Sequence, residues 1–142
     1  MEPSLFLDVA KKFLNIPSEA AYRSAVSRAY YAVFHEASSF LGKLGFKIAK
    51  GPQAHGEIPA RFSNCGVADG IRIARFLNEL HHQRILADYD LKSDNFGAQF
   101  KSAIWIAKAE QAILTLNTLS ASQNICIQIR NGIRAYEERL KA

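Results

Sequence analysis

Residues Ser24–Phe40 read SAVSRAYYAVFHEASSF, and apolar side chains recur along them at the spacing of an α-helix. At 100° per residue, one side of this helix carries the predicted core positions Val26, Tyr30, Val33, Ala37 and Phe40. The opposite side carries polar residues whose hydrogen-bonding groups are directional, namely Ser24, Arg28, Tyr31 and His35. An ordinary solvent-exposed face is rich in Lys and Glu, so we expect this face to form the wall of a polar cleft.

The region before this helix predicts how it begins. Residues 4–15 form a short amphipathic helical pattern that ends before Pro17. Ser18 is then a suitable N-cap for the central helix, which we expect to run to about Leu41.

The region after the central helix predicts a loop and two more helices. Gly and Pro residues recur over 42–66 and exclude a long helix there, although a short helix at Ile58–Phe62 has room to form. A third long helix is predicted from about Val67 to Tyr89, and a further one over 96–119 that is apolar on nearly all sides.

The C-terminal residues 122–141 have two interpretations. Their apolar positions fit a helix, whereas ICIQIRNGIRAY, with Asn131-Gly132 at its centre, fits a β-hairpin. Helix is favoured because AYEERLKA is strongly helical and the chain offers no other strand for pairing. The predicted fold is therefore all-α: one domain, 1–142, forming an antiparallel up-and-down bundle of four to five helices, with the long Gly/Pro-containing loop between the second and third long helices.

Composition bounds the class of protein. The chain has 142 residues, 49% of them hydrophobic, with a formal net charge of +5 and a pI near 9.4. This charge permits an anionic partner such as RNA or a nucleotide, but no Lys/Arg run marks a nucleic-acid tail. Cys65 and Cys126 are interpreted as reduced thiols. Without a signal peptide or an apolar run long enough to span a membrane, the chain is expected to be soluble and cytoplasmic.

A charged residue interrupts the apolar stripe of the third long helix. Arg84 falls among Ile73, Leu77, Leu80, Ala87 and Leu91, and Asp88 follows one turn later. Burying a guanidinium is costly unless it is paired and hydrogen-bonded. Either Asp88 neutralises Arg84 within a structural polar network that fixes helix packing, or the stripe opens onto a polar cleft at this point.

Three segments together resemble a known family. They are SRAYYAVFHEASSFL (27–41), the His55-Gly56 pair in the following loop, and ARFLNELHHQRILADYDL (74–91). They are similar to the small prokaryotic branch of the HEPN superfamily, whose pattern is SRxYYAxFHAA, then SHxG, then a helix ending LRxxADYD. The resemblance covers about residues 18–118 and leaves 119–142 as a C-terminal extension.

The resemblance implies a helical bundle that commonly forms homodimers. HEPN proteins are often encoded beside a minimal nucleotidyltransferase, with which they form a toxin–antitoxin pair. Many are metal-independent endoribonucleases that use an Arg-x4-6-His motif in a cleft at the dimer interface. Arg84 matches the arginine of that motif, but no histidine follows it over 85–90. Arg28 and His35 satisfy the same spacing on a different helix.

Two functional hypotheses follow, beside the alternative of a purely structural helical adaptor. In the first, the protein is a HEPN toxin-like endoribonuclease acting on RNA, with Arg84 and Arg28 holding the phosphate and His35 or His55 moving the proton. In the second, the protein is a non-catalytic subunit that binds a nucleotide or a nucleotidyltransferase partner. The catalytic candidates are Arg84, His35 and Arg28, and the ligand-binding candidates are Arg28, Tyr31, His55, Arg84, Asp88 and Tyr89.

Other sites are not expected. No HxxxH, HExxH or Cys/His cluster predicts a metal, no P-loop or Rossmann fingerprint predicts a nucleotide cofactor, and none is assigned. His81 and His82 are expected at the surface. In related pairs a tyrosine near the motif accepts nucleotidyl groups, which by analogy makes Tyr89 or Tyr31 a candidate for modification.

Overall fold

The computed structural model describes all 142 residues, and they form six helices and no strand. In chain order the helices are α1 (Ser4–Leu14), α2 (Glu19–Lys43), α3 (Ala54–Ser63), α4 (Ala68–Tyr89), α5 (Gln99–Ala121) and α6 (Gln123–Lys141). The predicted all-α class is confirmed. None of the six helices combines the length and the apolar character needed to cross a membrane.

Helix α2 is the centre of the fold, since α1, α4 and α5 all pack against it. The Ser18 hydroxyl caps its first turn by accepting a hydrogen bond from the Ala21 N–H, as the sequence predicts. The five positions of the predicted core face are all buried, at 0 to 5% exposure. This burial fixes the rotation of α2, so that its polar side faces away from the core.

The count of four to five helices is wrong by one, because α3 forms inside the segment predicted as a loop. It begins at Ala54, earlier than the short helix anticipated at 58–62, and it contains Pro59. Pro59 removes one helical hydrogen bond, but α3 buries four of its ten residues against the core, including Ile58 and Phe62. Packing therefore overrides the unfavourable local propensity.

The helical interpretation of the C-terminal residues is confirmed, and the hairpin is excluded. The hydroxyl of Ser122 accepts a hydrogen bond from the N–H of Ile125 and caps α6 where α5 ends. Gly132, which suggested a turn, lies where α6 crosses the residue Cys65, so closely that a Cβ at 132 would overlap the Cys65 carbonyl.

A buried arginine on the core side of α2, which its helical spacing does not mark as functional or structural, joins α2 to the end of α4. The Arg23 guanidinium donates hydrogen bonds to the Glu19 carboxylate and to four backbone carbonyl oxygens, those of Leu86, Ala87, Asp90 and Ser93. It also lies over the Phe96 ring at 4.7 Å. Because the last carbonyls of a helix lack intrahelical partners, this side chain fixes the C-terminal end of α4 against α2.

Candidate functional site

Side chains from α2, α3 and α4 meet on one face of the bundle. The group comprises Arg28, Tyr30, Tyr31, Phe34 and His35 from α2, His55 from α3, and His81, Arg84 and Asp88 from α4. We call it the Tyr31 cluster, because the Tyr31 ring contacts members from all three helices. Of the sequence-predicted site residues, only Tyr89 lies outside it.

Two guanidinium groups converge on the Tyr31 ring. The Cζ atom of Arg28 lies 5.1 Å from the ring centroid, and that of Arg84 lies 5.5 Å from it. Arg84 also lies 5.6 Å from the Tyr30 ring. Cations at this range are attracted by the ring quadrupole, which compensates part of the cost of desolvating them.

Asp88 partly neutralises this positive charge. Its Oδ2 atom lies 3.7 Å from Nη1 of Arg84 and accepts a hydrogen bond of 3.1 Å from the Ser27 hydroxyl. The Arg28 guanidinium in turn donates to the Ser27 hydroxyl at 3.4 Å. Two guanidinium groups against one carboxylate leave the cluster with one formal positive charge when its histidines are neutral.

His55 and His81 lie parallel beside Arg84. Their ring centroids are 5.0 Å apart with an interplanar angle of 3°, and the Tyr30 ring stacks on His81 at 5.2 Å. The Tyr30 hydroxyl oxygen lies 2.6 Å from Nδ1 of His55, within hydrogen-bonding distance. Tyr30 itself is 1% exposed.

His35 occupies the outer end of the cluster. The Phe34 ring separates it from His55, with centroid distances of 5.3 Å to His35 and 4.7 Å to His55. The Phe6 ring of α1 stacks on His35 with a centroid distance of 5.7 Å. A cavity of about 670 Å³ adjoins His35 and Phe6. His35 therefore contacts Tyr31 but not the His55–His81 pair.

The surroundings keep these histidines neutral. Burial, followed by the charge of Arg84, lowers the pKa of His55. Burial also lowers the pKa of His81, with smaller contributions from His55 and Arg84. For His35, burial and then Arg28 lower the pKa. Burial also raises the pKa of Tyr30, which therefore keeps its proton at neutral pH.

Two sequence expectations differ from this geometry. Tyr89 is 75% exposed at the end of α4 and makes no contact with the cluster, because Asp88 is the residue of that turn that faces α2. His81 was expected at the surface but is half-buried and stacked on Tyr30, whereas His82 is exposed. The signal for His81 was its position three residues before Arg84, which places both on one helix face.

The arrangement suits an anion better than a metal ion. No three His, Cys, Asp or Glu side chains lie close enough together to hold a metal. The cluster instead combines guanidinium donors, which match the oxygens of a phosphate, with neutral imidazoles, which can donate a hydrogen bond or accept a proton.

Comparison with known proteins adds a distant relative. The chain is 27% identical to an uncharacterized protein of Methanocaldococcus jannaschii over 156 aligned residues, which cover 94% of this chain and 87% of that protein. No protein-family model matches the chain. No solved structure matches it either.

Proposed function

We propose that the protein is a HEPN-type, metal-independent endoribonuclease that holds an RNA phosphate at Arg84. The family assignment rests on the motif resemblance at 27–41, 55–56 and 74–91. The support from the fold is that these separate segments contribute to one cluster on α2, α3 and α4.

The observation that carries the proposal is the lack of hydrogen bonds to Arg84. Its side chain is 11% exposed, close to the 9% of Arg23. Arg23 makes six hydrogen bonds, as a structural arginine should, whereas Arg84 makes none within the protein, and its Nε is buried without a partner. The Nη groups of Arg84 are not fully buried, so their unused donors are open to the oxygen acceptors of a ligand such as a phosphate.

A second arginine with a buried, unpartnered Nε provides a useful contrast. Arg130 on α6 lies against no aromatic ring and pairs with no carboxylate. Arg84, in contrast, lies between aromatic rings and beside two neutral histidines. The unused donors of Arg84 therefore coincide with groups that can move a proton, and those of Arg130 do not.

The chemistry follows from these groups. Cleavage of RNA without a metal needs a base to take the 2′-hydroxyl proton, an acid to protonate the leaving 5′-oxygen, and a cation at the phosphorane-like phosphate. Arg84 supplies the cation, and Arg28 contacts the same Tyr31 ring. His55 and His81 supply imidazoles within the same cluster, in place of the histidine that the family motif has after its arginine.

The alternative is a non-catalytic HEPN subunit that binds a nucleotide or a nucleotidyltransferase partner through the same cluster. The observation that favours it is that positions 89 to 91, where an Arg-x4-6-His motif beginning at Arg84 would have its histidine, hold Tyr89, Asp90 and Leu91. In this role the unused donors of Arg84 would bind a nucleotide phosphate without cleavage.

The test is cleavage of single-stranded RNA by the purified protein in EDTA, beside the same strand made of DNA. We expect a 2′,3′-cyclic phosphate product from RNA only. Arg84→Gln should lose about a hundredfold or more in rate, as expected when one transition-state donor is removed. Arg75→Gln is the matched control, because Arg75 is an exposed residue of the same helix without an ion pair.

The two functions give different outcomes. RNA cleavage and growth arrest on expression, both abolished by Arg84→Gln, support the nuclease. Intact RNA together with phosphate or nucleotide binding that depends on Arg84 supports the non-catalytic subunit. If the protein neither cleaves RNA nor binds phosphate or nucleotide through Arg84, both functions are refuted.

A further inference from the structure

We propose that Tyr30 is a positioning residue that locks His55 in the Nε2–H tautomer, so that His55 donates a hydrogen bond to the bound phosphate and does not act as the base. The assignment of a phosphate as the ligand rests on the proposed function. The tautomer itself follows from the Tyr30–His55 hydrogen bond, the burial of Tyr30 and the neutral state of both groups.

The direction of the Tyr30–His55 hydrogen bond decides the tautomer. The Tyr30 hydroxyl oxygen and Nδ1 of His55 are 2.6 Å apart, and the hydroxyl has no other partner. If Nδ1 carried the proton and donated it, the hydroxyl hydrogen of Tyr30 would have no acceptor in a residue that is 1% exposed. An unpaired buried donor is unfavourable, so Tyr30 donates and Nδ1 accepts.

The other protonation states are excluded by charge. A doubly protonated imidazolium at His55 is disfavoured by burial and by Arg84, which lower its pKa. A tyrosinate is disfavoured because burial raises the pKa of Tyr30. Both groups are therefore neutral, and the single imidazole proton of His55 lies on Nε2.

The Nε2–H group of His55 is available for a ligand. It has no hydrogen-bond partner within the protein, and it is not among the fully buried unpartnered atoms. It belongs to the same cluster as the unused donors of Arg84. A neutral imidazole N–H beside a guanidinium is a suitable pair of donors for two oxygens of one phosphate.

With this tautomer, His55 and His81 have different roles in cleavage. The only ring-nitrogen lone pair of His55 accepts the hydrogen bond from the Tyr30 hydroxyl, so His55 cannot take the proton from the RNA 2′-hydroxyl. Neither nitrogen of His81 has a partner within the protein. The base among the paired histidines is then His81, whose neutral form accepts that proton at an unprotonated nitrogen, and the imidazolium so formed returns a proton to the leaving 5′-oxygen.

The decisive measurement is the side-chain ¹⁵N–¹H correlation spectrum of the ligand-free protein at neutral pH, with His55 assigned by His55→Gln. We expect Nε2 of His55 to be protonated and Nδ1 to have the shift of a hydrogen-bonded acceptor. In Tyr30→Phe, the ¹⁵N chemical shift of Nδ1 should move to the value of an imidazole nitrogen whose lone pair accepts no hydrogen bond. Tyr22→Phe is the control, because Tyr22 lies on the same helix without a side-chain hydrogen bond.

A titration with inorganic phosphate tests the role of this tautomer. We expect phosphate to shift the Nε2–H signal of His55, and Tyr30→Phe to weaken phosphate binding about three- to tenfold, the effect of losing one well-oriented hydrogen bond. A proton on Nδ1 in the wild type would overturn the proposal, and so would phosphate binding that leaves the Nε2–H signal unchanged. Failure to cleave RNA would refute the nuclease while leaving this result intact.

Discussion

Oδ2 of Asp88 lies 3.7 Å from Nη1 of Arg84 across one turn of α4, too far for a hydrogen bond, while the same Oδ2 accepts a hydrogen bond from the Ser27 hydroxyl. The carboxylate therefore reduces the positive charge at the cluster without occupying the donors of Arg84. Its position depends on the contact between α2 and α4. This relation predicts that Asp88 weakens anion binding.

Asp88→Asn should strengthen the binding of inorganic phosphate. The amide oxygen can still accept from Ser27, so the geometry is retained while one negative charge is removed. Partly exposed ion pairs contribute about 0 to 1 kcal/mol, which corresponds to an increase in affinity of up to about fivefold. Isothermal titration calorimetry at low ionic strength would measure it.

The control for this prediction is Asp69→Asn on the same helix. Asp69 pairs with Arg72 at 3.5 Å, and both side chains are about half exposed. It lies near the N-terminal end of α4, far along the helix from the cluster, so its removal should leave phosphate affinity unchanged. Weaker binding in Asp88→Asn would mean that Asp88 orients the site instead of opposing the anion.

Arg23→Met should destabilise the fold by about 2 to 5 kcal/mol, because each buried carbonyl oxygen left without a donor costs about 1 to 3 kcal/mol. The variant keeps most of the side-chain volume but leaves the carbonyl oxygens of Ala87 and Ser93 without donors, whereas those of Leu86 and Asp90 keep backbone donors. Urea denaturation followed by circular dichroism gives the change in unfolding free energy. Lys11→Met, which removes an exposed ion pair with Glu110, should change stability by less than about 1 kcal/mol.

The contrast between Arg23 and Arg84 shows that the sequence predicts the helix face on which a residue lies but not its hydrogen-bond partners. Helical periodicity identified the core face of α2 because burial follows spacing, and the same spacing placed Arg28 and Tyr31 on the opposite face. Arg23 lies three residues before Val26, on the core side, but periodicity alone cannot tell a satisfied arginine from an unsatisfied one. That difference depends on backbone carbonyls more than sixty residues away in the chain.

Contacts between residues distant in the sequence likewise determine that α3 is helical and that His55 bonds to Tyr30. The local Gly and Pro content of 42–66 favoured a loop, and only packing against α4 and the core makes a helix there stable. The N-terminal turn of that helix presents His55 to Tyr30. Tyr30, which the sequence predicts as a core residue, therefore also contributes its hydroxyl to the site.

Gly132→Ala should destabilise the protein although alanine favours helices by about 1 kcal/mol over glycine. The new methyl group would overlap the backbone carbonyl of Cys65, which is not a flexible side chain that can move aside. Overpacking typically costs about 1 to 3 kcal/mol, so the net loss should be about 0 to 2 kcal/mol. Thermal unfolding would measure it.

A comparison at another glycine separates the two effects. Gly42 lies within α2, and a Cβ there would meet no atom within 4 Å. Gly42→Ala should therefore stabilise the protein by up to about 1 kcal/mol. If Gly132→Ala stabilised the protein by as much, the close approach of α6 to Cys65 would be refuted.

Protein stability should fall as the pH is lowered through the range in which free histidine titrates. In the folded protein, His55 and His81 have pKa values below that of an unfolded histidine, which is about 6.5. At a pH between the folded and the unfolded pKa, the unfolded protein therefore binds more protons than the folded protein. Their contribution to stability is complete above about pH 6.5 and is lost as the pH falls towards their folded pKa values.

The melting temperature measured from about pH 7.5 down to about pH 5 should therefore decrease, and it should decrease less in the double variant His55→Gln/His81→Gln. His82→Gln is the control, because His82 is exposed. An equal decrease in the double variant and the wild type would show that these two imidazoles are not held neutral by burial and Arg84.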